Sequence, residues 1–113
     1  MARVGSASDV SEISFQTINS SIIVTEDSNA VTVVDSDLGT VIRLTHTGGA
    51  ITVSLPNGLE EGFKCDFIID TTQTVTFTGV GGATVEAVSS VFNTQYQRVL
   101  VEQKEQNVWG VYS

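Results

Sequence analysis

One cysteine, one proline, one histidine and five basic side chains are all that these 113 residues offer of those types. Each scarcity removes a class of function. A lone Cys65 closes no internal disulfide, so the fold does not depend on an oxidising compartment. A tetrahedral zinc site takes about four Cys, His or carboxylate ligands, and one His with one Cys does not supply that set. His46 is the only histidine available as a catalytic base, and the chain has no G-x-S-x-G elbow to place an activated serine beside it. With 13 acidic residues against 5 basic ones the net charge is −8, which repels phosphate backbones and anionic membrane surfaces. Arg43, Lys64 and Arg98 lie scattered among acids and build no aromatic stacking platform, so nucleic acid is not an expected partner. No run approaches a membrane span, and MARVGSASDVSE lacks the apolar core of roughly 7–15 residues that marks a secretory leader. The expectation is a protein made in the cytosol with no membrane partner. The acidity leaves two readings open: plain solubility, or attraction to a basic protein surface such as an assembled coat.

What the chain has in abundance is valine and threonine, whose branched side chains suit a pleated sheet better than a helix. Three runs between Thr40 and Asp70 alternate strictly. Ile42 and Leu44 alternate with Val41, Arg43 and Thr45; Ile51, Val53 and Leu55 with Thr52 and Ser54; Phe63, Cys65, Phe67 and Ile69 with Lys64, Asp66 and Ile68. A period of two sends each apolar set to one sheet face. Gly48-Gly49 and Pro56-Asn57-Gly58 separate the runs with turn chemistry, and the segment reads as a three-strand meander. Cys65, in phase with Phe63 and Phe67, is expected to be a buried, inert thiol.

Further strands are expected near Ala30 to Val34, Thr74 to Thr78, Ala83 to Ala87, Gln95 to Gln103 and Val108 to Tyr112, with candidate helical turns only at Leu59 to Glu61 and Val88 to Phe92. Short strands at a spacing of roughly ten residues predict an all-β domain, an antiparallel sandwich or jelly-roll-like barrel of about eight strands. Connections this short exclude the crossovers of a doubly wound α/β fold and favour antiparallel pairing. Thr74, Thr76 and Thr78 place three hydroxyls on one face, open to water or a partner strand. The last strand has apolar residues on both faces, which predicts burial on both.

Residues 1–28 differ from the domain at 29–113. They are serine-rich, lack glycine after Gly5 and carry isolated apolar residues, so they read as an N-terminal arm. Ile13 and Phe15, with Ile18 beyond them, either add a strand to a neighbour or belong to a simple tail; Ile22, Ile23 and Val24 form a short strand or a peg into the body. These six are the candidate partner-binding residues.

The remaining motifs carry no chemistry. Asp35-Ser36-Asp37-Leu38-Gly39 begins like a calcium loop but lacks the later ligands, so a turn with aspartates accepting backbone N–H bonds is expected. Glu60-Glu61 and Glu26-Asp27 are adjacent pairs that do not face each other across a sugar. Gly79-Val80-Gly81-Gly82 follows a strand but opens no helix, so it reads as a hairpin loop and not a phosphate cradle. Asn19-Ser20-Ser21 matches a glycosylation acceptor only formally. His46 is expected to be a solvated turn residue, and no cofactor, metal or enzymatic activity is expected. Trp109, Tyr96 and Tyr112 are the aromatic candidates for sugar stacking, with Trp109 better placed in a core.

The order of elements from VTVVDSDLGTVIRL through QYQRVLVEQKEQNVWGVYS resembles a small β domain of bacteriophage virion proteins. The likeness rests on the Asp37-x-Gly39 turn, Leu55-Pro56, Gly62-Phe63, the V-T-F strand followed by glycines, Gln95-Tyr96 and Trp109-Gly110. It covers about three quarters of the chain. The resemblance implies a structural, non-enzymatic part located in the virion, usually a homotrimer or a module of a longer fibre. A small chain with a short arm suggests a capsid decoration or cement protein on the capsid surface, with the major capsid protein as partner. The alternatives are a tail or fibre component contacting a host receptor through loops near Gly48, Gly79 to Gly82 and Lys104 to Asn107, and a small carbohydrate-binding module.

Overall fold

A computed structural model describes residues 22–113. They form ten strands: β1 (Ile23–Glu26), β2 (Ala30–Thr32), β3 (Val41–Leu44), β4 (Ile51–Leu55), β5 (Lys64–Ile69), β6 (Val75–Gly79), β7 (Thr84–Ala87), β8 (Val91–Phe92), β9 (Arg98–Glu105) and β10 (Val108–Tyr112). A single 3-10 turn, Asp35–Asp37, lies between β2 and β3. The candidate helical turns at Leu59 to Glu61 and Val88 to Phe92 are bends and turns instead, the second running into β8. The β1 strand begins the body before position 29, so Ile23 and Val24 of the expected arm lie in a sheet.

Two sheets share one core. The six-stranded sheet runs β1-β3-β5-β9-β10-β7 and the four-stranded sheet runs β2-β4-β6-β8. Successive strands from β1 to β8 alternate between the sheets, so the chain crosses the core at each connection. The all-β, two-layer expectation holds, whereas the antiparallel sandwich, the jelly roll and the three-strand meander do not. β1, β3 and β5 pair parallel, as do β2, β4 and β6, and β7 pairs parallel with β10. Antiparallel pairing is confined to β5-β9, β9-β10 and β6-β8.

Parallel pairing arises despite the short connections for a definite reason. A parallel partner can be reached through a strand of the opposite sheet, so that strand is the crossover. Val41 pairs with Asp66 and Ile51 with Val75, which makes each coil about two dozen residues long, a solenoid-like period. Gly48-Gly49, Asn57-Gly58 and the Gly79 to Gly82 loop are therefore arches from one sheet to the other, and only Lys104 to Asn107 closes a hairpin. At the third arch, a Cβ on Gly79 would run into the Ala83 carbonyl oxygen, so the close approach of the two backbones requires glycine.

The alternating residues fill the space between the sheets. Ile42, Leu44, Phe67, Ile69, Val99 and Val101 of one sheet face Val31, Val53, Leu55, Val75 and Phe77 of the other, all buried. Aromatic rings pin the layers together: Phe67 meets Phe77 edge to face at 5.1 Å, and Phe77 meets Phe92 at 5.7 Å. Near the hairpin end Phe63 packs on Trp109 at 5.6 Å. Each pair buries large apolar area and adds about 0.5–1.5 kcal/mol through its geometry.

Two polar residues are buried among the described residues, Thr71 and Gln103, and the second sits on a core strand. Gln103 is fully buried on β9, and its amide nitrogen donates to the carbonyls of Leu59 and Glu60 at 2.5 and 2.6 Å while its oxygen accepts the Asn107 N–H at 3.2 Å. Trp109 Nε1 donates to the Pro56 carbonyl at 2.9 Å, and Asn107 Oδ1 accepts the Gly58 N–H at 3.1 Å. Three side chains of the hairpin thus hold the arch at 56–62. Nothing in the alternation marks Gln103 for this role, because it occupies an inward position that any apolar residue would fill.

Candidate functional site

The sequence-expected residues separate once placed. Ile13, Phe15 and Ile18 lie outside the described residues. Ile22 and Ile23 are 68% and 61% exposed, and Val24 is half-buried opposite Ile42. β1 is the edge of its sheet, and no described strand pairs with its outer side. An edge strand with free N–H and C=O groups is a template for another strand, and exposed isoleucines beside it add apolar area to such a contact. Of the features expected to bind a partner, this edge is the part the structure describes.

The two outer faces of the body differ in kind. On the six-stranded sheet, Arg98 bonds Asp66 at 2.9 Å, Lys64 lies 3.8 Å from Glu102, Lys104 lies 2.6 Å from Glu86, and Arg43 Nε donates to Asp70 at 2.8 Å. Hydrogen bonds from Arg43, and then from Gln95, hold the Asp70 carboxyl below its ordinary range. The hydrogen bond to Glu86 raises the Lys104 ammonium correspondingly. The four-stranded sheet has no charged residue in any of its strands, AVT, ITVSL, VTFTG and VF. Its outward side chains form two rows: Ala30, Thr52, Thr76 and Val91 in one, Thr32, Ser54 and Thr78 in the other. The hydroxyls expected at Thr76 and Thr78 are thus part of a wider array.

An open cleft of about 600 Å³ borders the β7 edge, lined by Glu86, Ala87, Val88, Lys104 and Tyr112 among others. The two charged side chains that line it, Lys104 and Glu86, are paired with each other. Tyr112 is half-exposed there, so the burial expected on both faces of β10 holds only for the inward Trp109 and Val111. Trp109 is completely buried and cannot stack on a sugar. Tyr96 is 74% exposed on a left-handed backbone at φ 72°, a conformation that costs a non-glycine residue free energy.

No described group behaves as a nucleophile with its base. Cys65 is 1% exposed, and burial pushes its thiol up to about 12 against a smaller lowering from the Thr40 hydroxyl. It is the inert core thiol expected. His46 Nδ1 lies 3.3 Å from Asp27, and the nearby Thr71 hydroxyl donates to the His46 main-chain carbonyl rather than to the ring. The ring is half-buried rather than fully solvated. Asp37 accepts the Val34 N–H at 2.9 Å, the turn role expected of it. Among the described residues no group of three or more His, Cys, Asp or Glu side chains is placed to hold a metal ion. No helix among them is long and apolar enough to cross a membrane. Compared with protein-family models and with curated proteins, the chain matches none.

Proposed function

We propose that this chain is a non-enzymatic structural protein of a phage virion, a head decoration or cement protein that binds assembled coat subunits. The observation that supports it best is the open edge of β1, flanked by exposed Ile22 and Ile23 and continuous with the arm carrying Ile13, Phe15 and Ile18. A coat strand or loop laid on that edge gains main-chain hydrogen bonds, and the isoleucines supply apolar burial. Binding of this kind stabilises a closed shell by linkage, because the added contacts exist only where neighbouring coat subunits are assembled.

Removing residues 1–20 tests the reading. Co-sedimentation of the shortened chain with coat shells should be lost while its far-ultraviolet spectrum stays that of the full chain; undiminished binding would overturn the role of the arm. Gold-labelled antibody on purified virions should decorate the head, and label confined to the tail would replace the head assignment with a tail or fibre one. The exposed, conformationally costly Tyr96 favours a second reading, contact with a receptor glycan. A glycan panel that binds the chain and loses binding in Tyr96→Ala would support that role, and silence across the panel would remove it.

A further inference from the structure

We propose that Asn57-Gly58 is a latent site of covalent modification, the conversion of Asn57 to aspartate and isoaspartate, and that Asn107 holds it shut. This stands whether or not the chain binds a coat. Asn19, Asn29, Asn93 and Asn107 precede Ser20, Ala30, Thr94 and Val108, whose side chains crowd the main-chain nitrogen that follows each asparagine; Asn57 alone precedes a glycine. Asn57 and Gly58 are both exposed on the arch that follows β4. Nothing bulky therefore shields the Gly58 nitrogen from the Asn57 side chain.

The reaction needs neither an enzyme nor an oxidant. Base takes the Gly58 N–H proton, the nitrogen attacks Asn57 Cγ, and the bond from Cγ to the side-chain nitrogen breaks, releasing ammonia and leaving a cyclic succinimide. Water then opens one of the two succinimide carbonyls, giving aspartate or isoaspartate. Isoaspartate runs the main chain through the Asn57 β-carbon and so lengthens the arch. Either product adds a negative charge to a chain already at −8. The neighbouring Pro56 carbonyl accepts the Trp109 indole N–H, so a rebuilt arch also disturbs the clamp between arch and hairpin.

Two contacts oppose the first step. The Gly58 N–H, whose proton must leave, is donated to Asn107 Oδ1 at 3.1 Å. The Asn57 carboxamide, whose carbon must be attacked, packs over Gly81 of the next arch, where a Cβ would lie 2.9 Å from Asn57 Oδ1. Asn107 is itself held on several sides: its N–H donates to Gln103 Oε1 at 3.2 Å, its carbonyl accepts the Thr84 N–H at 3.0 Å, and Gln106 Nε2 donates to the same Oδ1 at 3.3 Å. At φ 62° a glycine would serve the hairpin turn with less strain, and what asparagine adds there is the acceptor. The hydrogen bond keeps the Gly58 nitrogen protonated and directed at the hairpin instead of at Asn57 Cγ.

Peptide mapping by mass spectrometry, with enzymatic methylation to count isoaspartate, reads the site in the full chain held at mildly alkaline pH. Conversion should appear at Asn57 before any other asparagine, slowly in the folded chain and faster in denaturant. Asn107→Gly keeps the turn and removes Oδ1, and should speed conversion in the folded chain about 2- to 10-fold, the factor that one net hydrogen bond is worth. Asn107→Asp keeps an acceptor and should retain most of the protection. Val99→Ala, in the core at the far end of β9 from the hairpin, lowers global stability without touching the arch and should not speed conversion. Thermal melts establish that the variants fold, and slow hydrogen exchange at the Gly58 amide of the unaltered chain reads the same hydrogen bond with no substitution. A folded chain that converts as fast as the denatured one overturns the proposal, as does an Asn57 that survives in denaturant or is preceded by another asparagine. An Asn107→Gly rate equal to that of the unaltered chain, or matched by Val99→Ala, also overturns it, and so does rapid exchange at Gly58.

Discussion

The two outer faces are built from the same alternating strands over the same core, yet one is covered by cross-strand ion pairs and the other by hydroxyl and methyl groups. The six-stranded face pairs opposite charges such as Arg98 with Asp66 and Lys64 with Glu102. Exposed pairs of this kind contribute little to stability, so that face is better understood as a solvated exterior that discourages contact. The strands of the four-stranded face present no charge that contact would have to desolvate. Folding needs only the inward residues of each sheet, and the outward ones are free to differ. The difference between the faces therefore points to what each meets outside the molecule.

The sharpest way to break this comparison is to remove the core that makes the two faces parts of one body. Phe77 of the four-stranded sheet touches Phe67 of the other and Phe92 of its own. Phe77→Ala should cost about 3–5 kcal/mol in denaturant unfolding; a loss below about 1 kcal/mol would mean the sheets do not share a core. Gly79→Ala forces a methyl against the Ala83 carbonyl at an arch between the sheets and should cost about 1–3 kcal/mol.

Gln103 offers a subtler break. Gln103→Leu keeps the bulk but leaves the Leu59 and Glu60 carbonyls and the Asn107 N–H without their partner. A loss of about 1–3 kcal/mol is expected, with faster hydrogen exchange confined to the 56–62 arch and the hairpin; uniform acceleration would show that the clamp is not local. Cys65 reports on the same core without mutation. Its thiol should react with alkylating reagents only as fast as the protein opens, and rapid labelling under native conditions would contradict its burial.

The smallest effect separates the faces by pH. Arg43 lowers the folded pKa of Asp70, so the pair stabilises the fold above the unfolded carboxylate value of about 4 and loses that contribution as pH falls through the lower folded value. The stability gap between the protein and Asp70→Asn should therefore shrink between pH 7 and pH 3. A gap that widens on acidification would reverse the assignment. The uncharged face has no titrating group in its strands, so Thr52→Ser on it should leave stability within about 0.5 kcal/mol at either pH.

Much of this body was legible in the residues. The strands expected around Ala30, Ile42, Val53, Phe67, Phe77, Val85, Val101 and Val111 all appear, because branched and aromatic residues at a period of two have one stable use in water. The inward set from Val31 to Val111 follows from the same phase, as does the inert Cys65. Two short strands are less plainly marked: β1, where Ile22 to Val24 reads as a short strand or a peg within the arm, and β8, where the pattern offers a helical turn. Of the candidate site, Ile22, Ile23 and Val24 were recognisable as an apolar cluster, but their position on a sheet edge was not.

Sequence by itself determined that the chain is all-β, which side of each strand faces the core, and that neither a disulfide nor a multi-histidine zinc site is available to it. Only the tertiary structure decided which strand lies beside which. A period of two describes one strand's two faces and is blind to whether the next strand turns back in the same sheet or crosses the core to the other. Parallel sheets are commonly buried on both faces, so one-sided alternation points to antiparallel pairing; here each mixed sheet, parallel in most of its pairs, keeps one face in water because the other sheet covers only its inner side. That same crossing placed Thr52, Thr76 and Thr32, Ser54, Thr78 side by side in rows. Residues more than twenty positions apart share a face only because the chain coils, and no local pattern records it.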